Sequence, residues 1–420
     1  MVMEILSTGE KIRRARIYKG YTLKYICGDK ISVSKMSCIE NDKIAPEDWV
    51  IEYLAEKLDL DTEYLKNDIK SQIRKNINEL LKKSMKPDEY EKSLEYNLSY
   101  AEEYKYFDIA FDIMNMLFTF NLERNKLKKL QLLLPRYYDM CLKTRDDKNY
   151  LIYYMDLAKY LYKSEEYGEA AGYYNTIRKA AEESDNQELL GKALFNECDC
   201  YIKIEDYEKA YEVAEELPAL INYFEDDYKK AGVYHLLALL ELRLQGEKFT
   251  KYEKKALSFY GENQRAKCNA LNDYGITLIK INKKDEGIKY ITRALKEYPK
   301  DDRIQLVSFM LMCISELVDN NVLEKAEKII DETINYSIAL DNVRFIEKAY
   351  HYKAVILGRK KEYTSMEMYM NLSLDALMRF GNKKEVHRRY LEMGEMYYKL
   401  NSISDALKYF NLAINLEKKI

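Results

Sequence analysis

Glycine and proline are scarce in this chain, 14 and 5 of 420 residues. That scarcity argues against a fold of many tight turns and leaves long helices with few breaks. Histidine is scarcer still. His235, His351 and His387 lie far apart on separate predicted helices, which gives no histidine metal cluster and no catalytic pair. The seven cysteines include no CxxC spacing. The one close pair, Cys198 and Cys200, diverges on a helix, so the cysteines read as reduced thiols without a metal role. No run approaches the ~18 apolar residues of a membrane helix. The opening MVMEILSTGEK is too short and too acidic for a signal peptide. A Walker loop, a dinucleotide-binding glycine pattern and an HExxH are all missing. The expectation is therefore a cytoplasmic, non-enzymatic protein that needs no cofactor.

What is present is a helical composition, 47% apolar and 33% charged, in a chain long for one compact domain. The net charge of −3 hides an asymmetry. Residues 1–46 carry nine Lys/Arg against five Asp/Glu, a net of +4, so the remainder is −7. A basic head on an acidic body suits phosphate contact by the head alone.

Within that head the pattern predicts four short helices. The first, from about Glu10 to Lys19, turns Ile12, Ala15 and Ile17 inward and Lys11, Arg13, Arg14 and Lys19 outward. Gly20 ends it, and Thr22 caps a second helix with Leu23 and Ile26 inside. After a Gly28–Asp29 turn, Ser32 caps a third, with Met36 and Ile39 inside and Val33, Ser34, Lys35 and Ser37 exposed. Pro46 breaks the chain before a fourth helix, 47–58, with Trp49, Ile51 and Leu54 as core candidates. Small hydroxyl and cationic side chains on a helix N-terminal turn let the backbone approach bases and phosphates closely. Ser34, Lys35 and Ser37 are thus expected at base edges with Val33 in apolar contact, and Ser32 at the helix start is counted among the DNA-binding residues. Arg13, Arg14, Lys24 and Lys43 are expected on phosphates.

Farther along, the chain repeats itself. Leu271, Tyr274, Gly275, Leu278, Gly287, Ile291, Ala294 and Pro299 take the spacing of a tetratricopeptide repeat, as do Tyr390, Met393, Gly394, Tyr397, Ala406, Phe410 and Ala413. A small residue recurs at Ala170, Ala210, Gly287, Ala326 and Ala406, at intervals of 40, 77, 39 and 80. The unit is therefore nearly 40 residues, with one marker missing from each long interval. The fold expected is all-α, a helix-turn-helix domain (1–67), a linking helix (68–86) and a tetratricopeptide-like right-handed α-solenoid (87–420). Counting along the first helix of each pair gives Asn196, Asp199, Lys203, His235, Leu239, Arg243, Asn269, Asn272, Ile276, Lys280, His351 and Arg359 as groove residues. A basic residue recurs at Lys163, Lys203, Arg243, Lys280, Arg359 and Lys399. It serves either a helix C-terminus or an acidic group in the groove.

The head resembles the phage-repressor-like helix-turn-helix family through Ile12-Arg13, Arg16, Gly20-x-Thr22, Ser32, Ile39-Glu40-Asn41 and Pro46. It departs from that pattern at Cys27-Gly28-Asp29, which interrupts the second helix, and at Asp42, where a glycine is usual. The order of head and repeats resembles the RRNPP family of Gram-positive quorum-sensing receptors. That resemblance implies a double-stranded DNA operator, a short signalling peptide in the repeat groove, a homodimer and transcription control. It also implies peptide-backbone contacts by groove asparagines, here Asn196, Asn269 and Asn272. Dimer contacts are expected from 68–86 and from the last repeats around Tyr397, Tyr409 and Phe410. The open alternatives are an adaptor that sequesters a partner protein without reading DNA, and a scaffold for folded proteins.

Overall fold

The computed structural model describes residues 4–82 and 85–418, and every regular element among them is helical. The chain divides into two compact units, Met1–Ile204 and Glu205–Ile420. Each is built from consecutive antiparallel helices, so the protein is all-α and of tetratricopeptide-like solenoid type.

The first five helices are α1 (Thr8–Tyr18), α2 (Leu23–Cys27), α3 (Val33–Glu40), α4 (Asp48–Leu58) and α5 (Thr62–Lys66). Ser7 and Glu10 close a capping box at the start of α1, satisfying two N-terminal amides reciprocally. Gly20 takes φ 69° just past its end. Thr22 and Ser32 cap α2 and α3 as their positions require. Ile12, Ile26, Met36, Ile39, Leu54 and Leu58 are fully buried and form the centre of this bundle. Gly9 lets α1 and α3 touch, since a Cβ there would stand 2.2 Å from the Ile39 carbonyl oxygen. Asp42 adopts φ 54° in place of the expected glycine. Its carboxylate accepts from the Gly9 amide at 3.2 Å and the Ser7 hydroxyl at 2.5 Å, so it sits on the positive end of α1.

Three expectations for this bundle are corrected. Ile17 is 58% exposed, because the stripe of α1 that meets the core runs through Gly9, Ile12 and Arg16. Trp49 is 44% exposed, and its indole donates to Glu47 at 2.6 Å. Lys11 is buried, not outward. Its ammonium donates to the carbonyls of Tyr64 at 2.8 Å and Asn67 at 2.5 Å, serving the open C-terminal end of α5.

Helix α6 (Ile69–Lys82) and α7 (Pro87–Glu103) follow, with Pro87 at the first turn of α7, where its missing N–H costs nothing. The segment 4–7 straps the bundle to them. Ile5 is fully buried among Ile69, Ile73 and Leu94, and Gln72 bonds both the amide and the carbonyl of Leu6.

Hairpins of leading and trailing helices then succeed one another. The leading helices are α8 (Phe107–Glu123), α10 (Asp147–Lys163), α12 (Gln187–Lys203), α14 (Asp227–Arg243), α16 (Gln264–Lys280), α18 (Arg303–Asp319), α20 (Val343–Arg359) and α22 (Lys383–Lys399). The trailing helices are α9 (Leu127–Thr144), α11 (Tyr167–Glu183), α13 (Tyr207–Ala214), α15 (Phe249–Phe259), α17 (Lys284–Glu297), α19 (Leu323–Ala339), α21 (Tyr363–Leu377) and α23 (Ile403–Glu417). Leading helices start 37 to 40 residues apart, as the small-residue markers anticipated. The two missing markers are Tyr252 and Met366, which occupy the same place in α15 and α21.

Tight crossings and tight turns keep this rhythm. Gly275 and Gly287 mark the α16–α17 crossing, where a Cβ on either would fall 2.4–2.8 Å from the other's carbonyl oxygen. Lacking glycine, most inter-helix turns place an ordinary residue in the left-handed region, among them Glu165 (φ 65°), Glu205 (φ 62°), Asn282 (φ 66°) and Lys361 (φ 66°). Such a residue costs roughly 1–2 kcal/mol, while glycine loses about 0.5–1 kcal/mol in chain entropy. Two substitutions in the second unit should therefore act in opposite directions in urea unfolding. Gly287→Ala should lower stability by about 1–3 kcal/mol through overpacking against backbone. Lys361→Gly should raise it by roughly 0.5–1 kcal/mol.

Candidate functional site

The exposed surface of α3 begins at its N-terminal turn. Val33 (46% exposed) and Ser34 point to solvent, and Ser37 is half-buried one turn on. Ser32 is exposed, but its hydroxyl is engaged as the helix cap, accepting from the Lys35 amide at 3.1 Å. The Lys35 ammonium is held by Glu47 at 2.9 Å, beside the Trp49 ring. The Lys35 and Trp49 hydrogen bonds keep the Glu47 carboxyl below the usual carboxylate range. Lys24 on α2 and Lys43 after α3 are exposed. Arg13 follows Gly9 by four residues, on the α1 stripe that packs toward α3, and is exposed. Arg14 points about 100° away around the helix and pairs with Glu4 at 2.8 Å. Val33, Ser34, Lys35 and Ser37 thus share the outer side of α3. Arg13 is exposed on α1, whose contacts with α3 fall at the C-terminal end of α3 around Ile39 and Glu40, and Arg14 is tied elsewhere. Behind them Arg16 makes a two-pronged bond to Glu40, at 2.6 and 2.8 Å, and donates to the Tyr21 carbonyl, which fixes the angle between α1 and α3.

In the second unit the leading helices α14, α16, α18 and α20 pack side by side, and a polar stripe crosses them. His235 contacts Tyr274 Oη at 3.0 Å through Nδ1 and Asp273 at 3.3 Å through Nε2. Asn272, fully buried, donates to Glu316 at 2.6 Å, while its Oδ1 has no hydrogen-bond partner. Burial raises the Glu316 pKa, Asp273 adds to the shift, and the Asn272 bond opposes it. Tyr352 donates to Ser315 at 2.7 Å. Arg389 on α22 reaches Glu347 on α20 at 2.9 Å and bonds Ser373 of α21, all three residues being buried. Breaking such a pair from one side typically costs about 3–5 kcal/mol.

At the end of the stripe a pocket opens between α20, α21 and α22. Its rim carries His351, Arg359, Glu392 and Lys399, and Met366 and Met370 line its floor. Unbranched thioethers repack around differently shaped apolar groups. Burial, then the charges of Arg389 and Arg388, lower the His351 pKa to about 3. Glu392 lies 3.8 Å from Nδ1, yet it is already bonded to Arg389 at 2.8 Å, so its charge does little for the imidazole.

Of the other groove candidates, Asn269 and Lys280 are exposed, Leu239 and Arg243 half-buried, and Ile276 only 6% exposed. Arg243 stacks over the Tyr207 ring. Asn196, Asp199 and Lys203 lie on α12 in the first unit. There Asp199 accepts from the Tyr162 phenol, whose pKa is raised by burial and by that bond. The recurring cation has a structural use in two places. Lys163 donates to the Leu122 carbonyl at 2.7 Å and Arg359 to the Val318 carbonyl, each closing the C-terminal end of the preceding leading helix. Lys203, Lys280 and Lys399 are exposed. The sequence reading missed Asp273, Glu316, Tyr352, Arg389 and Glu392. Asp273, Tyr352 and Glu392 share the helix offset of Asn196 and could have been found from it, whereas Glu316 and Arg389 fall at offsets that the reading did not use.

No protein family's model matches the sequence, and no curated protein matches it. Among solved structures the chain is similar to the apo form of the quorum sensor NprR from B. thuringiensis, at 16% identity over 79% of this chain and 97% of that one, with a TM-score of 0.45. It is similar to a Rap protein complexed with competence and sporulation factor, at 15% identity over 83% and 98%, TM-score 0.45. It is also similar to Bacillus thuringiensis PlcR in complex with the peptide PapR7 and DNA, at 17% identity over 60% and 94%, TM-score 0.34. At these values the likeness is one of helical architecture. Among the described residues no helix is long and apolar enough to cross a membrane, and no group of His, Cys, Asp and Glu could hold a metal ion.

The low His351 pKa has a thermodynamic consequence. Between the ordinary value near 6.5 and about 3 the unfolded chain binds a proton that the folded chain refuses, so stability falls as pH falls through that window. His351→Gln should flatten the pH dependence of thermal unfolding between about pH 6.5 and 4. An unchanged slope would place the acid sensitivity elsewhere.

Proposed function

We propose that this chain is a DNA-binding transcriptional regulator of the RRNPP type. In this reading α2 and α3 are a helix-turn-helix, a short linear peptide binds along the leading helices, and a homodimer reads the operator. The observation that carries the reading is the polar stripe on α14–α22. Exposed Asn269 and Lys280 lie on the same face of α16 as buried Asn272, which is held by Glu316 beneath them. A peptide backbone supplies both the N–H donors and the C=O acceptors that an exposed side-chain amide such as Asn269 can pair with. The exposed N-terminal turn of α3 and the exposed cation Arg13 on α1 support the DNA half. Two-fold pairing supplies the contacts that one bundle of about 60 residues lacks for selecting a site among genomic competitors. The adaptor reading draws on the same stripe but leaves the exposed Val33–Ser34 turn without a role.

Electrophoretic shift with DNA upstream of the chain's own gene tests the head. Lys35→Ala should relax preference at one site position at a cost of about 1–3 kcal/mol. Arg13→Ala should weaken all sequences alike and reduce the salt slope by about 1. Full operator affinity in the double variant would remove this docking.

Calorimetric titration with the peptide encoded beside the gene tests the groove. Asn269→Ala combined with Lys280→Ala should weaken binding about tenfold, at roughly 0.5–1.5 kcal/mol per lost bond. Bound peptide should shift operator affinity by about 5–150-fold. A peptide that binds tightly and leaves operator affinity unchanged would refute the switch.

A further inference from the structure

On the face formed by α17 and α19, opposite the polar stripe, lie two adjoining clefts that share Lys325 and Lys328. The first adds Lys284 and Lys360, the second Lys296 and Lys300. Lys360 is already paired with Glu327 at 2.9 Å and Glu362 at 3.1 Å, which leaves five lysines on these walls with two carboxylates, Glu324 and Glu332. The local excess of positive charge runs against the acidic balance of the chain beyond residue 46. Lys325 is half-buried, and burial followed by the neighbouring Lys328 lowers its pKa. Two ammonium groups crowded at a partly dry surface are stabilised most by an anion that comes from outside.

The cleft floors decide between anions. Val322 is buried and Ile288 and Leu323 half-buried in the first, while Leu306, Met310 and Ile329 are buried in the second. Aliphatic floors beneath a lysine rim bury aliphatic side chains, which nucleic acid and free phosphate do not offer. We propose that these two clefts are a docking site for an acidic amphipathic segment of a partner protein, with its apolar residues on the cleft floors and its carboxylates on Lys325 and Lys328. The surface shares no residue with the His351 pocket. A peptide in the groove and a protein on this face can therefore be bound together. The inference does not depend on the peptide reading.

Fluorescence anisotropy on the full chain tests it, with a labelled amphipathic peptide of alternating glutamate and leucine turns as probe and its glutamine counterpart as control. The glutamate probe should bind wild type, more weakly as salt rises. Lys325→Glu with Lys328→Glu should lose about tenfold or more in affinity, and Lys325→Gln with Lys328→Gln should fall between. Lys251→Glu with Lys254→Glu, on α15, should bind as wild type does. Thermal unfolding of each variant establishes that it is folded, and the neutral pair keeps the test alive if the reversal pair is not. Equal binding of the glutamine peptide would overturn the proposal, as would undiminished binding by the reversal variant. So would duplex DNA binding that survives Arg13→Ala with Lys35→Ala but is lost on reversal at Lys325 and Lys328, since the face would then be a nucleic-acid surface.

Discussion

A helix that is apolar on two sides cannot satisfy both against a single partner. In α16 the residues Ala266, Cys268, Leu271, Tyr274 and Leu278 are all buried, and Gly275 is pressed against α17. Such a helix meets its own hairpin partner on one side and the leading helices before and after it on the other. No hairpin can be stable alone, so each unit exists only as a stack. The crossing distance at Gly275–Gly287 and the left-handed turn residues set how closely the stack is drawn.

That constraint also makes the candidate site. Positions between adjacent leading helices are at once core and groove edge. A polar residue there is cut off from water and must bond across to the next helix. Asn272 with Glu316 and Arg389 with Glu347 do so in the second unit, and Asn115 with Asp156 and Tyr137 do so in the first. Burial holds Asp156 above the usual carboxylate range, although Lys159, Tyr137 and Asn115 all act to lower it. Buried polar networks of this kind fix one arrangement strongly when complete. At Asn272 Oδ1 the network is incomplete, since that buried atom has no hydrogen-bond partner.

Much of this was legible in the amino-acid sequence because the repeat forces equivalent residues to equivalent places. The caps at Thr22 and Ser32, the Gly20 terminus and the crossing at Gly275 follow from local chemistry and were read correctly. The errors came where a side chain's fate depends on a distant backbone group. Lys11 looks like a surface cation until the carbonyls of Tyr64 and Asn67 are brought to it. Trp49 looks like core until Glu47 is seen to take its N–H. Periodicity also cannot tell that the cation ending a leading helix is spent on the previous one, as at Lys163 and Arg359. The lysine face on α17 and α19 was invisible for the same reason, since its residues come from helices whose adjacency only the fold supplies.

The central claim is that the leading helices of the second unit are a ligand surface coupled to DNA reading by the head. Hydrogen–deuterium exchange on the full chain, with and without the peptide encoded beside the gene, tests it most directly. The account predicts added protection in α14, α16, α18 and α20, accompanied by changed exchange in α2–α3. Protection confined to α17 and α19, or to the leading helices with α2–α3 unaltered, would contradict it.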